Sequence, residues 1–398
     1  MIKAISIAIG LLIGVVFSEM ALRLIGIEYP IFYERDIDGI SRHRPGMTGV
    51  FSKEGRANIK INSDGLRDRE HALLKPESTI RIAVLGDSYA EAFQVDLPET
   101  FWSVMERELQ KCKSLAHRKV EVLNFGVSGY GTGSELLRLQ RDVWKYDPDI
   151  ILVAFLTGND IKNNSYVLEK NSLLNYFRVV DGKLYLSAPQ EITASQRYKL
   201  LADLWRSMVD HSRVLQVTQH VRLNYKTMIP GLRSAFVGDS AKHPDGTLSD
   251  SSSEAGLDDY IYSSPTNEDW KAAWEVTEKI LLEMKREVTS RDKTLFVATL
   301  SNAIQVDPDA AKRTAYAHRL GVDDLYYPDR RIIDFVTNEK IPSMMLAPEL
   351  LDWAEKNSTC VHGFSNAQIC GGHWNQHGHR LAGDIVSREI CRQIIDRR

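Results

Sequence analysis

Apolar positions along the chain fall into three regimes. At the N-terminus, Lys3 precedes an uncharged run from Ala4 to Ser18. Glu19 interrupts it, and Met20 to Ile27 stays mostly apolar. From residue 79 onward, short continuous apolar blocks alternate with amphipathic stretches. The blocks at 81–85, 120–124, 149–155, 294–299 and 341–346 predict strands, and those at 99–111, 135–145, 268–288 and 376–396 predict helices. The run Ile150-Ile-Leu-Val-Ala-Phe155 has no polar break, as a parallel strand buried on both faces requires. Alternating βα units imply a doubly wound parallel sheet with its site beyond the carboxyl ends of the strands. Between residues 165 and 266 that rhythm lapses. A helical piece at 196–220 and a Gly/Ser/Asp-rich loop at 238–256 read as an insertion over the site, part cap and part loop.

Residues 1–27 have the character of a signal-anchor, with a cleaved signal peptide or a buried helix as the alternatives. Residues 28–78 are irregular, with turn signals at His43-Arg-Pro-Gly-Met-Thr-Gly49 and Asn62-Ser-Asp-Gly65, and read as a stalk and N-terminal extension. Residues 79–398 form the main domain. A single-pass membrane anchor carrying an exported domain, periplasmic or extracellular, is the expectation.

Charge and cysteine content narrow the function classes. Lys plus Arg number 50 against 53 for Asp plus Glu, a net charge of −3. That leaves no basic excess to neutralise phosphates, so nucleic acid is not an expected partner. Four cysteines are too few for a disulfide scaffold but enough for one or two bridges in an oxidising compartment.

Candidate chemistry sits at the predicted strand ends. After the first strand comes Gly86-Asp-Ser88, and after the second Asn124-Phe-Gly126-Val-Ser-Gly129-Tyr-Gly-Thr-Gly133. The third is followed by Gly158-Asn-Asp160. A serine, a glycine N–H and an Asn side chain at one sheet edge are the parts of an oxyanion hole beside a nucleophile. The last helix opens on His373-Trp-Asn-Gln-His377, where a histidine could serve as base.

These four blocks, in this order, resemble the SGNH (GDSL-type) hydrolases, over roughly Ile82 to the C-terminus apart from the insertion. The segment Asn62-Ser-Asp-Gly-Leu-Arg-Asp68 resembles membrane-anchored envelope members of that family. The resemblance implies a three-layer α/β/α fold around a flavodoxin-like, five-stranded parallel sheet. It implies Ser88 as nucleophile, His373 as base, and an oxyanion hole of the Ser88 and Gly129 N–H groups with the Asn159 side chain. No cofactor or metal is implied. The expected activity is cleavage of an ester, on a small molecule or on a carbohydrate or envelope polymer. An O-acyltransferase and a non-catalytic glycan-binding scaffold are the alternatives.

One position departs from the family pattern. The acid that usually precedes the histidine by three residues is replaced by Cys370. A backbone carbonyl or a distant carboxylate, with Asp352 suggested by nearness in sequence, is expected to orient His373. Cys360 and Cys370 are expected to form a disulfide, with Cys112 and Cys391 as separate thiols. Cys360, His362, Cys370 and His373 could alternatively be written as a zinc set, at the cost of the only well-placed base. Asp160 is expected to accept from backbone donors after the third strand.

Overall fold

The computed structural model describes residues 2–35, 40–115, 117–170, 175–187, 196–228 and 258–396. The Gly/Ser/Asp-rich loop at 238–256 lies outside the described residues. The chain divides into two compact units, one of Met1–Phe32, Thr48–Val50 and Thr193–Ser252, the other of Tyr33–Met47, Phe51–Ile192 and Ser253–Arg398.

In the smaller unit, helix α1 (Ile2–Leu24) is long and apolar enough to cross a membrane, with a mean hydropathy of 2.2 over Ile5–Leu24. A signal sequence would have the same length and composition. Its one acidic residue has a local purpose. Glu19 accepts from Ser212 Oγ and from the backbone N–H groups of Arg213 and Val214, each at 3.0 Å. It thereby caps the helix Arg213–Met228, whose first N–H groups have no partner within the helix. The helical piece expected at 196–220 is thus two helices, Gln196–His211 and Arg213–Met228, parted at Ser212.

The larger unit is built on a five-stranded parallel sheet: β1 (Thr79–Gly86), β2 (Lys119–Asn124), β3 (Ile150–Leu156), β4 (Thr294–Leu300) and β5 (Ser343–Met345). Its order is β5-β4-β3-β1-β2. All five expected strands are present, β5 being the shortest because Pro342 lacks an N–H and only its carbonyl joins the ladder, to Val297 N at 3.1 Å.

Successive side chains on β1 and β3 point to opposite faces, and both faces are covered. Ile80, Ile82, Val84, Ile150 and Leu152 pack with helices α2 (Phe101–Leu109), α5 (Ala347–Asn357) and α6 (Gln376–Ile390). Ala83, Leu85, Ile151, Val153 and Phe155 pack with α3 (Thr132–Arg141) and α4 (Glu268–Thr289), where Trp270, Trp274 and Leu281 are core as their helical spacing requires. The result is a three-layer α/β/α fold. Each fully buried Leu, Ile, Val or Phe contributes about 1.5–3 kcal/mol, which the strands collect twice by having no solvent face.

Three features differ from the sequence expectations. An antiparallel hairpin, Tyr176–Val180 with Lys183–Ser187, stands in the insertion, turning at Asp181 and Gly182 with φ of 48° and 72°. The Asp-Gly pair between apolar alternations is its sequence signal. The segment after residue 40 is no stalk: Ile59, Ile61, Leu66, Arg67 and Asp68 are all buried in the larger unit. Finally, Cys112 and Cys391 are bonded to each other, because α2 and α6 lie side by side and bring their ends together, with Cα atoms 6.0 Å apart.

Candidate active site

Gly86 ends β1 against Ala154 of β3 and the turn that follows, where an added Cβ would come within 2.8 Å of Ala90 and 3.2 Å of Ala154. The chain therefore turns sharply into the short helix Ser88–Glu91. Its N-cap, Asp87, accepts from Tyr89 N at 3.0 Å through one oxygen and from Asn159 Nδ2 at 3.0 Å through the other. Ser88 is half-buried at the edge of a run of fully buried residues.

The structure brings Ser88 and His373 together, with His373 Nε2 at 2.8 Å from Ser88 Oγ. The acid behind the histidine is Glu54, from the N-terminal extension. Glu54 Oε2 lies 2.5 Å from His373 Nδ1, and its Oε1 accepts from the His373 backbone N–H at 2.7 Å. One carboxylate thus holds both the ring and the main chain of His373. Burial pushes the Glu54 pKa up, but its hydrogen bonds to His373 and the charge there outweigh this and hold it below the usual carboxylate value. Asp352 has no part in this arrangement. It is exposed and pairs with Lys356 at 2.6 Å, on the helix turn where its sequence places it.

The approach of Glu54 depends on backbone shape. Gly372 has φ +72°, and a Cβ there would lie 2.0 Å from Glu54 Oε1. The glutamate's own loop is tied to the histidine loop by Asn366, whose Oδ1 accepts from Gly55 N at 2.9 Å. Its Nδ2 donates to Gly55 O at 2.8 Å and Ser52 O at 3.1 Å. The Cys360–Cys370 disulfide closes the other side of that loop. Because both sulfurs are joined, the thiolates of a zinc set are absent and that reading falls.

A second layer fixes the histidine strand. His362 Nδ1 is 2.7 Å from Gly372 O, a pure acceptor, so Nδ1 carries the proton and Nε2 accepts from Ser301 Oγ at 2.9 Å. Trp374 Nε1 donates to the same Ser301 Oγ at 2.8 Å, and Tyr89 O–H donates to Gly372 O at 3.0 Å. Burial pushes the His362 pKa down to about 4, so the ring is neutral at pH 7. His377, by contrast, is exposed and rests on Trp353 with ring centroids 5.3 Å apart.

The glycine loop after β2 is fastened from two sides. Asp68 Oδ2 accepts from Asn124 N at 3.0 Å, and Asn124 Oδ1 accepts from Gly126 N at 3.0 Å. Glu91 accepts from Ser128 N at 3.1 Å, Tyr33 O–H at 2.8 Å and His43 Nε2 at 2.6 Å. Gly129 then stands exposed with φ +80°, beyond Ser128. Beneath the serine turn lie three fully buried acids, Asp87, Glu135 and Asp160. Burial, and then their mutual repulsion, raises the Glu135 and Asp160 pKa values well above the carboxylate range. Asp160 Oδ2 does accept from the backbone, at Leu156 N and 2.9 Å.

Glu54 and His362 were not singled out as supports of the His373 segment by sequence reasoning. Nothing local marks Glu54, which meets His373 across a separation of 319 residues. Sheet order, the serine after the first strand and the histidine ahead of the last helix stand as the resemblance to the SGNH (GDSL-type) hydrolases implies. No family model matches the chain, and no curated protein matches it. Among solved structures, it is similar to an acetyl xylan esterase, AlAXEase, at 12% identity and TM-score 0.38, covering 79% of this chain and 100% of that one. It is also similar to a catalytic mutant of Axe2, an acetylxylan esterase from Geobacillus stearothermophilus (12%, TM-score 0.37, covering 80% and 96%). A third is TesA (11%, TM-score 0.36, covering 78% and 97%). At these identities and scores the likeness bears on neither substrate nor mechanism.

Proposed function

We propose that this protein is a serine hydrolase of the SGNH type that cleaves an ester through an acyl-enzyme, held at a membrane by its N-terminal helix with the catalytic unit exported. The observation that carries the reading is the unbroken line Ser88–His373–Glu54, at 2.8 and 2.5 Å. A serine hydroxyl is a poor nucleophile until a base removes its proton. His373 Nε2 takes that proton as Oγ attacks the carbonyl, and Glu54 keeps the Nδ1 proton in place and stabilises the imidazolium. The N–H groups of Ser88 and Gly129 and the amide of Asn159 receive the oxyanion. His373 then protonates the departing alkoxide, and water attacks the acyl-enzyme in the reverse sequence.

Glu54 supplies the acid missing at position 370, which weakens the case for a non-catalytic scaffold. Bonding of all four cysteines in two disulfides supports an oxidising compartment and hence export. The substrate favoured is an acyl group on a carbohydrate. The test is labelling with a fluorophosphonate probe, which should modify the wild type and spare a folded Ser88→Ala variant. Equal labelling of both would refute the reading. Acetate release compared with acetyl transfer to an added oligosaccharide distinguishes hydrolysis from O-acyl transfer.

A further inference from the structure

The backbone N–H groups of the glycine loop after β2 are almost all committed. Phe125 N donates to Val84 O at 2.8 Å, Gly126 N to Asn124 Oδ1 at 3.0 Å and Val127 N to Gly86 O at 3.2 Å. Ser128 N donates to Glu91 Oε1 at 3.1 Å, and Tyr130 N to Val127 O at 3.2 Å. Of the N–H groups from Phe125 to Tyr130, only that of Gly129 has no partner among the described residues. Both neighbours of Gly129 are tied to the N-terminal extension. Glu91, buried at the end of the serine helix, bonds Ser128 N with the same oxygen that takes His43 Nε2 at 2.6 Å. Its other oxygen takes the Tyr33 hydroxyl at 2.8 Å. Tyr33 and His43 are register partners in the antiparallel strands Tyr33–Arg35 and Ser41–His43. On the far side of Gly129, the Tyr130 hydroxyl donates to Ser41 O of the same strand pair. The loop also rests on the serine helix, since a Cβ at Gly126 would lie 2.5 Å from Ala90 Cβ and 2.8 Å from Glu91 N.

Resting on the function proposed above, we infer that Glu91 is a positioning residue for the oxyanion hole, anchored by Tyr33 and His43 of the N-terminal extension. Glu91 acts through the Ser128 peptide and leaves the Gly129 N–H free for the oxyanion. Such a donor contributes most when it is aimed before the reaction begins, because nothing then has to turn as charge develops. The bond from Ser128 N to a buried carboxylate fixes the chain on one side of Gly129, and the Tyr130 hydroxyl fixes it on the other. Glu91 closes the short helix that Ser88 opens, so nucleophile and donor loop are held by the same four residues. A carboxylate suits the task because it only accepts, and its lone pairs serve three converging donors at once. The extension thereby braces both halves of the site: Glu54 positions the base, and Tyr33 and His43 position the oxyanion donor through Glu91.

The test compares the full chain with its Glu91→Ala, Glu91→Gln and Tyr33→Phe variants. The readouts are turnover of p-nitrophenyl acetate and inhibition by a phenylboronic acid, whose tetrahedral adduct on Ser88 puts an oxygen where the oxyanion forms. Glu91→Ala should lose about 10²–10³ in kcat with KM within about threefold of wild type, and boronate should bind about tenfold more weakly or worse. Glu91→Gln keeps an acceptor for Ser128 N and should return kcat to within about tenfold of wild type. Tyr33→Phe removes one anchor and should cost about 3–10-fold, again in kcat. A folded Glu91→Ala variant with kcat within about threefold of wild type, or with its loss in KM and boronate binding unchanged, would overturn the inference. If Glu91→Ala does not melt cooperatively, Tyr33→Phe decides, and a kcat equal to wild type overturns the inference. Failure of the hydrolase reading itself looks different: fluorophosphonate would not label Ser88 in the wild type.

Discussion

Replacing Glu54 by Gln isolates what the extension does for catalysis. The carboxylate accepts two N–H groups of His373, at 2.5 and 2.7 Å, and a glutamine has only one oxygen with which to do so. If the amide NH₂ turns to Nδ1, the imidazole carries its proton on Nε2 and cannot take one from Ser88. Loss of the corresponding acid in a serine protease triad costs about 10⁴ in kcat, or roughly 5.4 kcal/mol at 1.36 kcal/mol per decade. If the amide oxygen stays on Nδ1, the charge is lost but the tautomer survives, and the cost is smaller. The expected fall is therefore about 10²–10⁴ in turnover of p-nitrophenyl acetate and in the rate of fluorophosphonate labelling. Stability should change little at neutral pH, since the site is partly open to solvent. The sign of its pH dependence is set: the Glu54 pKa is depressed, so its contribution is present above the usual carboxylate value and lost as pH falls through the folded one. Asp352→Asn is the control and should leave turnover unaltered, because Asp352 reaches only Lys356. Turnover of Glu54→Gln within threefold of wild type, or an equal loss in Asp352→Asn, would refute the reasoning.

Two further outcomes follow from the structure. Removing the Cys112–Cys391 bridge by double serine substitution opens a separation of 279 residues, which chain entropy values at about 5–6 kcal/mol, against about 2.5–3 kcal/mol for the separation of 10 at Cys360–Cys370. Thermal melts should rank the variants in that order, whereas esterase assays should rank them in reverse, because only the shorter bridge holds the loop of His373. Glu135→Gln addresses the buried acids. Both Glu135 carboxyl oxygens lack a partner, and burial raises the pKa, which favours the fold at acid pH and loses that advantage as pH rises through the folded value. The variant should match wild type near about pH 4 and exceed it near about pH 8, by about 1–3 kcal/mol in chemical denaturation. A gap that is independent of pH would contradict a titrating Glu135.

Local pattern was enough for the scaffold and for the two residues of the proposed reacting pair, which the fold brings within 2.8 Å of each other. Unbroken apolar runs of strand length such as Ile150–Leu156, alternating with amphipathic stretches, read as strands buried on both faces, and the site of a parallel sheet lies at their carboxyl ends. Ser88 and His373 are legible because each sits in a short motif next to an element boundary. Glu54 is not legible, since a glutamate in a loop between two short strands looks like any solvated charge. Only the docking of that loop, through Asn366 and the space that Gly372 leaves, turns it towards His373. The same holds for Cys112 and Cys391, which are paired by helix packing across 279 residues, and for Arg67 and Asp68, whose burial no local pattern in the N-terminal extension announces. Sequence periodicity reports which face of an element is covered. Which distant side chain arrives on that face is decided by the packing of one element on another, and a one-dimensional pattern carries no record of it.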